Sequence, residues 1–348
     1  MLADRIEGKW IDAFCEVLER CAVRRGDTAA ILSETQSREL NVRLAELALL
    51  RLGARPFHVV VPTPRNPHPV PVRSTGASQA IGALHPVVTA LGQAGFVVDC
   101  TLEGLMHAPE TAAILKAGAR ILVISNEHPE ALERMAPDAA LETSVRAAVK
   151  LVRAGRRMQV NSAAGTDLDI DVSGATTVGV WGWTDRPGTL AHWPGGIVVS
   201  FPRAGTVNGT LVIDRGDINL TFKRYLEAPL RLTLEADYVT GIDGEGADAE
   251  MMRGYLAAWG DREAYAVSHV GFGMNRKARY EALAMYDRRD TNGTELRAVA
   301  GNFLFSTGAN EFAGRFTAGH FDIPVMRTTI SIDGTEVVRE GVLLDAFG

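Results

Sequence analysis

Cysteine is scarce, basic charge is not in excess, and no long apolar run interrupts the chain. The three cysteines, Cys15, Cys21 and Cys100, are odd in number and form no C-x-x-C pair. That excludes a secreted disulfide framework and a thiolate zinc site, and a reducing cytoplasm is the expected compartment. Thirty-six Lys and Arg stand against 42 Asp and Glu, a net charge of -6. With no chain-wide basic field, neither nucleic acid nor an anionic membrane is expected as a partner. No stretch reaches the roughly 18 uninterrupted apolar residues of a membrane-spanning helix. Segment 1–18 carries Asp4, Glu7, Asp12 and Glu16 where a secretory signal would have its apolar centre, and it reads as an amphipathic helix. The sequence contains no G-x-x-x-x-G-K, no strand-borne G-x-G-x-x-G, no H-E-x-x-H and no G-x-S-x-G, so several nucleotide-binding and hydrolytic classes lose support.

What remains is an ordinary globular composition, 46% hydrophobic and 22% charged, over 348 residues. That length suggests two domains. In the first half, apolar runs at 28–32, 57–61, 96–100 and 120–124 alternate with helical spacing at 37–52, 111–117 and 141–152. Such alternation predicts βαβ units and a largely parallel sheet. A boundary is expected near Gly155, giving an α/β domain over 1–155 and a second domain over 156–348. The second half changes texture, with short strands expected at 158–161, 168–172, 177–183, 197–201, 209–214 and 231–238, and helices at 247–258 and 276–285. This pattern predicts an α+β domain on a mainly antiparallel sheet.

A fold class alone defines no chemistry, so the site must be argued from residues. Four of the eight histidines, His58, His68, His85 and His128, lie in apolar runs or proline-rich loops and read as surface or core residues. The segment Gly319-His320-Phe321-Asp322-Ile323-Pro324 differs. Residues i and i+2 of a strand share a face, so His320 and Asp322 could chelate one ion while Phe321 packs behind them. Pro324 places the pair near a strand end or sheet edge. A third ligand is needed, and His269 is the best candidate, in Ser268-His269-Val270-Gly271-Phe272-Gly273, where the glycines permit a turn and close backbone approach. Two histidines and a carboxylate would form the facial triad associated with non-haem Fe(II) oxygenases. The same spacing also fits an ordinary hydrogen-bonded H-x-D pair. His107, just beyond the 96–100 strand, could act as acid or base, and His192 sits in a loop-like segment beside Trp193; structural roles also fit both.

Taken together, 105–110, 192–194, 268–273, 301–308 (GNFLFSTG) and 320–324 resemble the corresponding segments of the 2,5-dihydroxypyridine 5,6-dioxygenases. The likeness extends over most of the chain and is densest from about Gly165 to Gly334. It implies that His269, His320 and Asp322 hold a single Fe(II), that His107 is the acid/base group, and that His192 and Ser306 contact a small hydroxylated pyridine that reacts with O2. It also implies an aminopeptidase T-like fold and a homo-oligomer. Aminopeptidase T-type enzymes are therefore the rival reading, but they use three further ligands. The matching positions here are Ile197, His269 and Leu304, and Ile197 and Leu304 cannot bind metal. A non-catalytic binding protein on the same fold is a third reading, which predicts no metal.

Overall fold

The computed structural model describes residues 5–70 and 78–345. The four apolar runs of the first half become strands Thr28–Glu34, Arg55–Val61, Phe96–Asp99 and Arg120–Ile124, all parallel. Alternation divides their side chains between two faces. Ala29, Ile31, Phe96, Val98, Leu122 and Ile124 pack against residues of helices Gly8–Arg20 and Glu39–Arg51. Ala30, Leu32, Val97, Ile121 and Val123 pack on the other side with Leu91 and Ile114, from helices His85–Gln93 and Thr111–Lys116. Burial of both faces explains why Thr28–Glu34, Phe96–Asp99 and Arg120–Ile124 read as continuous apolar runs, whereas Arg55–Val61, at the sheet edge, is mostly half-buried or exposed. The expected N-terminal helix is present as Gly8–Arg20; residues 1–4 lie outside the described residues.

A fifth strand, Leu190–Trp193, joins this sheet parallel to Arg120–Ile124. The sequence reading of a loop around His192 is therefore corrected, because Pro194-Gly195-Gly196 ends the strand rather than belonging to a longer loop. Trp193 anchors it. The indole is fully buried, lies edge-on to Phe14 at 5.0 Å, and donates from Nε1 to the Met135 carbonyl at 3.0 Å.

Among the described residues the second half contains two large antiparallel sheets and a two-stranded one, Ile218–Asn219 with Arg224–Tyr225. One of the large sheets has eight strands and includes Arg157–Asn161, Asp167–Asp171, Val207–Ile213 and Leu230–Glu235. The other orders Arg315–Val325, Phe303–Asn310, Val267–Gly273, Ile197–Phe201 and Thr176–Val180. Their inner faces share one core containing Met158, Ile170, Leu211, Leu232, Phe272, Phe303, Phe305 and Phe321, to which helix Gly246–Ala258 adds Met252 and Leu256. Two expected elements differ. The single run at 231–238 is two strands, because Ala236 and Asp237 take positive φ values of 46° and 78° and turn the chain. The expected helix at 276–285 is reduced to Ala282–Met285, and the Arg279 N–H, which would join a helical ladder, donates instead to the buried Glu295 carboxylate at 2.8 Å. Among the described residues no helix is long and apolar enough to cross a membrane.

Gly271 shows how tightly the second of these sheets is built. A Cβ there would lie 1.9 Å from the Val198 carbonyl oxygen of the neighbouring strand. Since backbone cannot yield as a side-chain tip can, Gly271→Ala is expected to destabilise the protein by more than about 2 kcal/mol. An unchanged urea-unfolding midpoint would contradict this packing.

Candidate metal centre

The face of the five-stranded antiparallel sheet opposite the shared core carries the site. On Arg315–Val325, Phe321 and Ile323 enter the core while His320 and Asp322 point the other way. On Phe303–Asn310, Phe303 and Phe305 are core residues, Leu304 lines the cleft, and Ser306 stands opposite Asp322 in the strand register. On Val267–Gly273 the register shifts by one residue between Val267 and Val270. This bulge lets Val267 and Val270 both face the core while His269 turns to the cleft. The expected turn after His269 is absent. The strand continues through Gly271 and Gly273, whose missing side chains instead allow close packing. Arg315–Val325 is an edge strand, as Pro324 requires.

His269, His320 and Asp322 converge, with one candidate ligand atom from each lying within 4.8 Å of the others. His269 Nε2 is 3.5 Å from Asp322 Oδ1, and His320 Nε2 is 3.3 Å from Asp322 Oδ2. Burial pushes the His269 ring down to about 3. Burial alone would raise the Asp322 carboxyl, but Arg297 and the His320 ring outweigh it and hold the group well below the usual carboxylate range. An uncharged imidazole and an ionised carboxylate are the forms a cation needs. His269 Nδ1 and Asp322 Oδ1 are also buried without hydrogen-bond partners, a costly arrangement that suits a site built for a metal ion.

The parallel sheet supplies the facing wall. His107, in the loop beyond Phe96–Asp99, places its ring centroid 5.7 Å from that of His320. Burial pushes His107 down to about 4, so near neutral pH its ring is an uncharged proton acceptor rather than the half-protonated group that an unperturbed histidine would provide. His192, on Leu190–Trp193, is likewise pushed down to about 4 by burial. Its Nδ1 is 2.8 Å from the Pro194 carbonyl, so Nδ1–H donates there and Nε2 remains an acceptor. Ser306 is fully buried with Oγ 3.5 Å from both nitrogens of the His320 ring. His107, His192 and the triad line one cavity of about 160 Å³, together with Val178, Val180, Ile197, Val199 and Phe201. A cavity of about 150 Å³ accommodates a six-membered aromatic ring.

Sequence reasoning missed Arg297, which also lines the cavity and donates from Nε to Asp322 Oδ2 at 2.5 Å. It also missed Glu127, whose buried carboxylate accepts from the Asn292, Gly293 and Glu295 N–H groups. Neither residue lies in a spaced motif, so only distant contacts reveal them.

The fold and site together define a protein of the aminopeptidase T-like architecture with a candidate metal centre of three ligands, two histidines and one aspartate. Wild-type AmpT from Thermus thermophilus shares this fold, with a TM-score of 0.65 and 16% identity, covering 97% of this chain and 99% of the other. A second solved structure, 2,5-dihydroxypyridine dioxygenase from Pseudomonas putida KT2440, superposes with a TM-score of 0.91 at 34% identity, covering 99% of each chain. The 2,5-dihydroxypyridine 5,6-dioxygenase of Pseudomonas putida KT2440 is 37% identical over 333 residues, 94% of both chains. The family described as 2,5-dihydroxypyridine 5,6-dioxygenase matches residues 9–345, and this chain belongs to that family.

His269→Ala, His320→Ala and Asp322→Ala are each expected to weaken divalent-metal affinity by more than roughly tenfold, since loss of an outer-shell partner alone costs that much. Metal content after dialysis checks this. Full retention in any one variant would remove that residue from the ligand set.

Proposed function

We propose that this protein uses a single Fe(II) and O2 to cleave 2,5-dihydroxypyridine between ring carbons 5 and 6, an extradiol-type cleavage giving N-formylmaleamate in nicotinate or pyridine catabolism. The observation that carries this reading is the donor set: two imidazoles and a carboxylate at a ring-sized apolar cavity, with Ile197 and Leu304 on its walls. These two residues occupy positions matched with ligands of the aminopeptidase T-type enzymes and offer no lone pair to a second ion. A two-metal clamp on attacking and leaving oxygens therefore lacks support.

In this reading residues 156–348 hold the metal through His269, His320 and Asp322, and residues 1–155 bring His107 to the same cleft. Bound Fe(II) would supply the redox chemistry that lets dioxygen combine with the ring. The chain does the rest by binding and orientation. Val178, Val180, Ile197 and Val199 hold the flat ring by apolar contact and exclude water. His107, uncharged, accepts the proton of the ring hydroxyl and later returns it. The free Nε2 of His192 orients the remaining polar edge of the ring, whereas Ser306, expected from the resemblance to contact the ring, is fully buried behind His320 and acts on that side chain instead. Fixing the ring against these groups removes much of the entropic cost of reaction.

Purification under anaerobic conditions with Fe(II), followed by an oxygen-electrode assay with 2,5-dihydroxypyridine, tests the proposal. One O2 is expected to be consumed per ring. No uptake by metal-loaded protein, or hydrolysis of an aminoacyl anilide with Zn or Co, would overturn it. His107→Ala is expected to keep its metal while turnover falls about 10²–10⁴-fold, the usual contribution of a positioned acid/base group; unchanged turnover would exclude that role. A cytoplasmic homo-oligomer forms part of the same proposal, and light scattering after size exclusion checks the oligomer, with a monomer mass counting against it.

A further inference from the structure

Arg297 belongs to the short helix Thr294–Ala298, which is held from both halves of the molecule. Before the helix, Glu127 takes the N–H groups of Asn292 and Gly293 at 2.8 Å each, and Ser125 Oγ lies 2.7 Å from Thr294 Oγ1. On its flank Arg134 contacts both oxygens of the buried Glu295 carboxylate, at 2.7 and 2.8 Å. At its end Asn302 Nδ2 donates to the carbonyls of Leu296 and Arg297, while its Oδ1 accepts from the Gly273 N–H. Gly273 ends the strand that carries His269, so Arg297 and the triad share one support.

The guanidinium itself is only partly used. Nε donates to Asp322 Oδ2, and this is its single hydrogen bond among the described residues. The side chain lines the cavity and retains 22% of its exposure, so the two terminal nitrogens are available to a ligand there. A planar fork with two free N–H arms matches an anionic oxygen or a carboxylate. The proposed reaction needs such a receptor. C5H5NO2 and O2 give C5H5NO4: the C5–C6 bond breaks, each of these carbons gains one oxygen, and C5 with its original oxygen becomes a carboxyl group that ionises in water. Because Arg297 is tied to Asp322, its fork lies at the reacting end of the ring.

Resting on the dioxygenase reading above, we propose that Arg297 has two roles in this site: Nε positions Asp322, and the terminal nitrogens bind the oxygen on C5 and then the carboxylate that it becomes.

The test uses maleamate, which carries the product's carboxylate, and 2-hydroxypyridine, which lacks the C5 oxygen. Both are titrated calorimetrically into metal-free full-length protein. Arg297→Met is expected to bind maleamate about 10- to 100-fold more weakly, the loss of charge-assisted hydrogen bonds, with 2-hydroxypyridine affinity unchanged. Metal affinity, measured separately by competition with a chelator, is expected to fall about 10- to 100-fold as for other outer-shell partners. Where the Met variant does not fold, Arg297→Lys replaces it: it keeps the charge, loses the fork, and is expected to bind maleamate more weakly than the wild type. Failure of the wild type to bind maleamate, or equal maleamate affinity in wild type and variant, overturns the proposal. Oxygen uptake by the metal-loaded wild type separates the two levels: no uptake removes the dioxygenase reading, whereas uptake with an unchanged kcat/KM in Arg297→Met removes only the role of Arg297.

Discussion

Three neighbouring antiparallel strands each divide their residues between a packed core and a polar cleft, and this alternation is the constraint on which the site depends. Phe272, Phe303, Phe305 and Phe321 cannot leave the core without exposing large apolar surfaces. Their burial therefore fixes which way His269, Ser306, His320 and Asp322 face. The bulge at Ser268-His269 adjusts the phase of one strand so that all three candidate ligand residues share a side. The geometry of the candidate site is thus a by-product of hydrophobic register, which is more strongly enforced than any single polar contact.

The polar cleft so formed is electrostatically asymmetric. Burial keeps His107, His192 and His269 uncharged, whereas Arg297 and the His320 ring keep Asp322 ionised against its own desolvation. The ionised Asp322 carboxylate beside the uncharged His269 ring supplies oxygen and nitrogen lone pairs suited to a cation. The ion pair with Arg297 need not add stability, because burying both charges costs about as much as their attraction returns. Its effect is to fix the carboxylate's orientation.

The two halves share apolar packing, with Trp193 set against Phe14 and with Val145, Ala148 and Val152 in the second-half core, and polar contacts join them as well. Glu127 at the end of the parallel sheet grips the backbone of residues 292–295, Arg134 grips Glu295, and Arg38 reaches Asp290. These contacts are directional and act together with the apolar packing to hold residues 292–297 against the parallel sheet that carries His107.

Much of this was legible in the residues themselves. Parallel strands announced themselves as doubly buried apolar runs, and His320 and Asp322 were paired by the period of a strand, because both signals are local. Where local signals misled, contacts outside the pattern had decided: Leu190–Trp193 is a strand because Trp193 fills a pocket against Phe14 and Met135, and over 276–281 the Arg279 N–H goes to the distant Glu295 carboxylate. The sequence by itself determined the two textures of the chain and which residue types could bind a metal, since these depend on periodicity and chemistry. Only the tertiary structure decided that His269 faces the same cleft, that His107 is held uncharged near His320, and that Arg297 and Glu127 matter at all, because each of these depends on desolvation or contact between residues far apart in the chain.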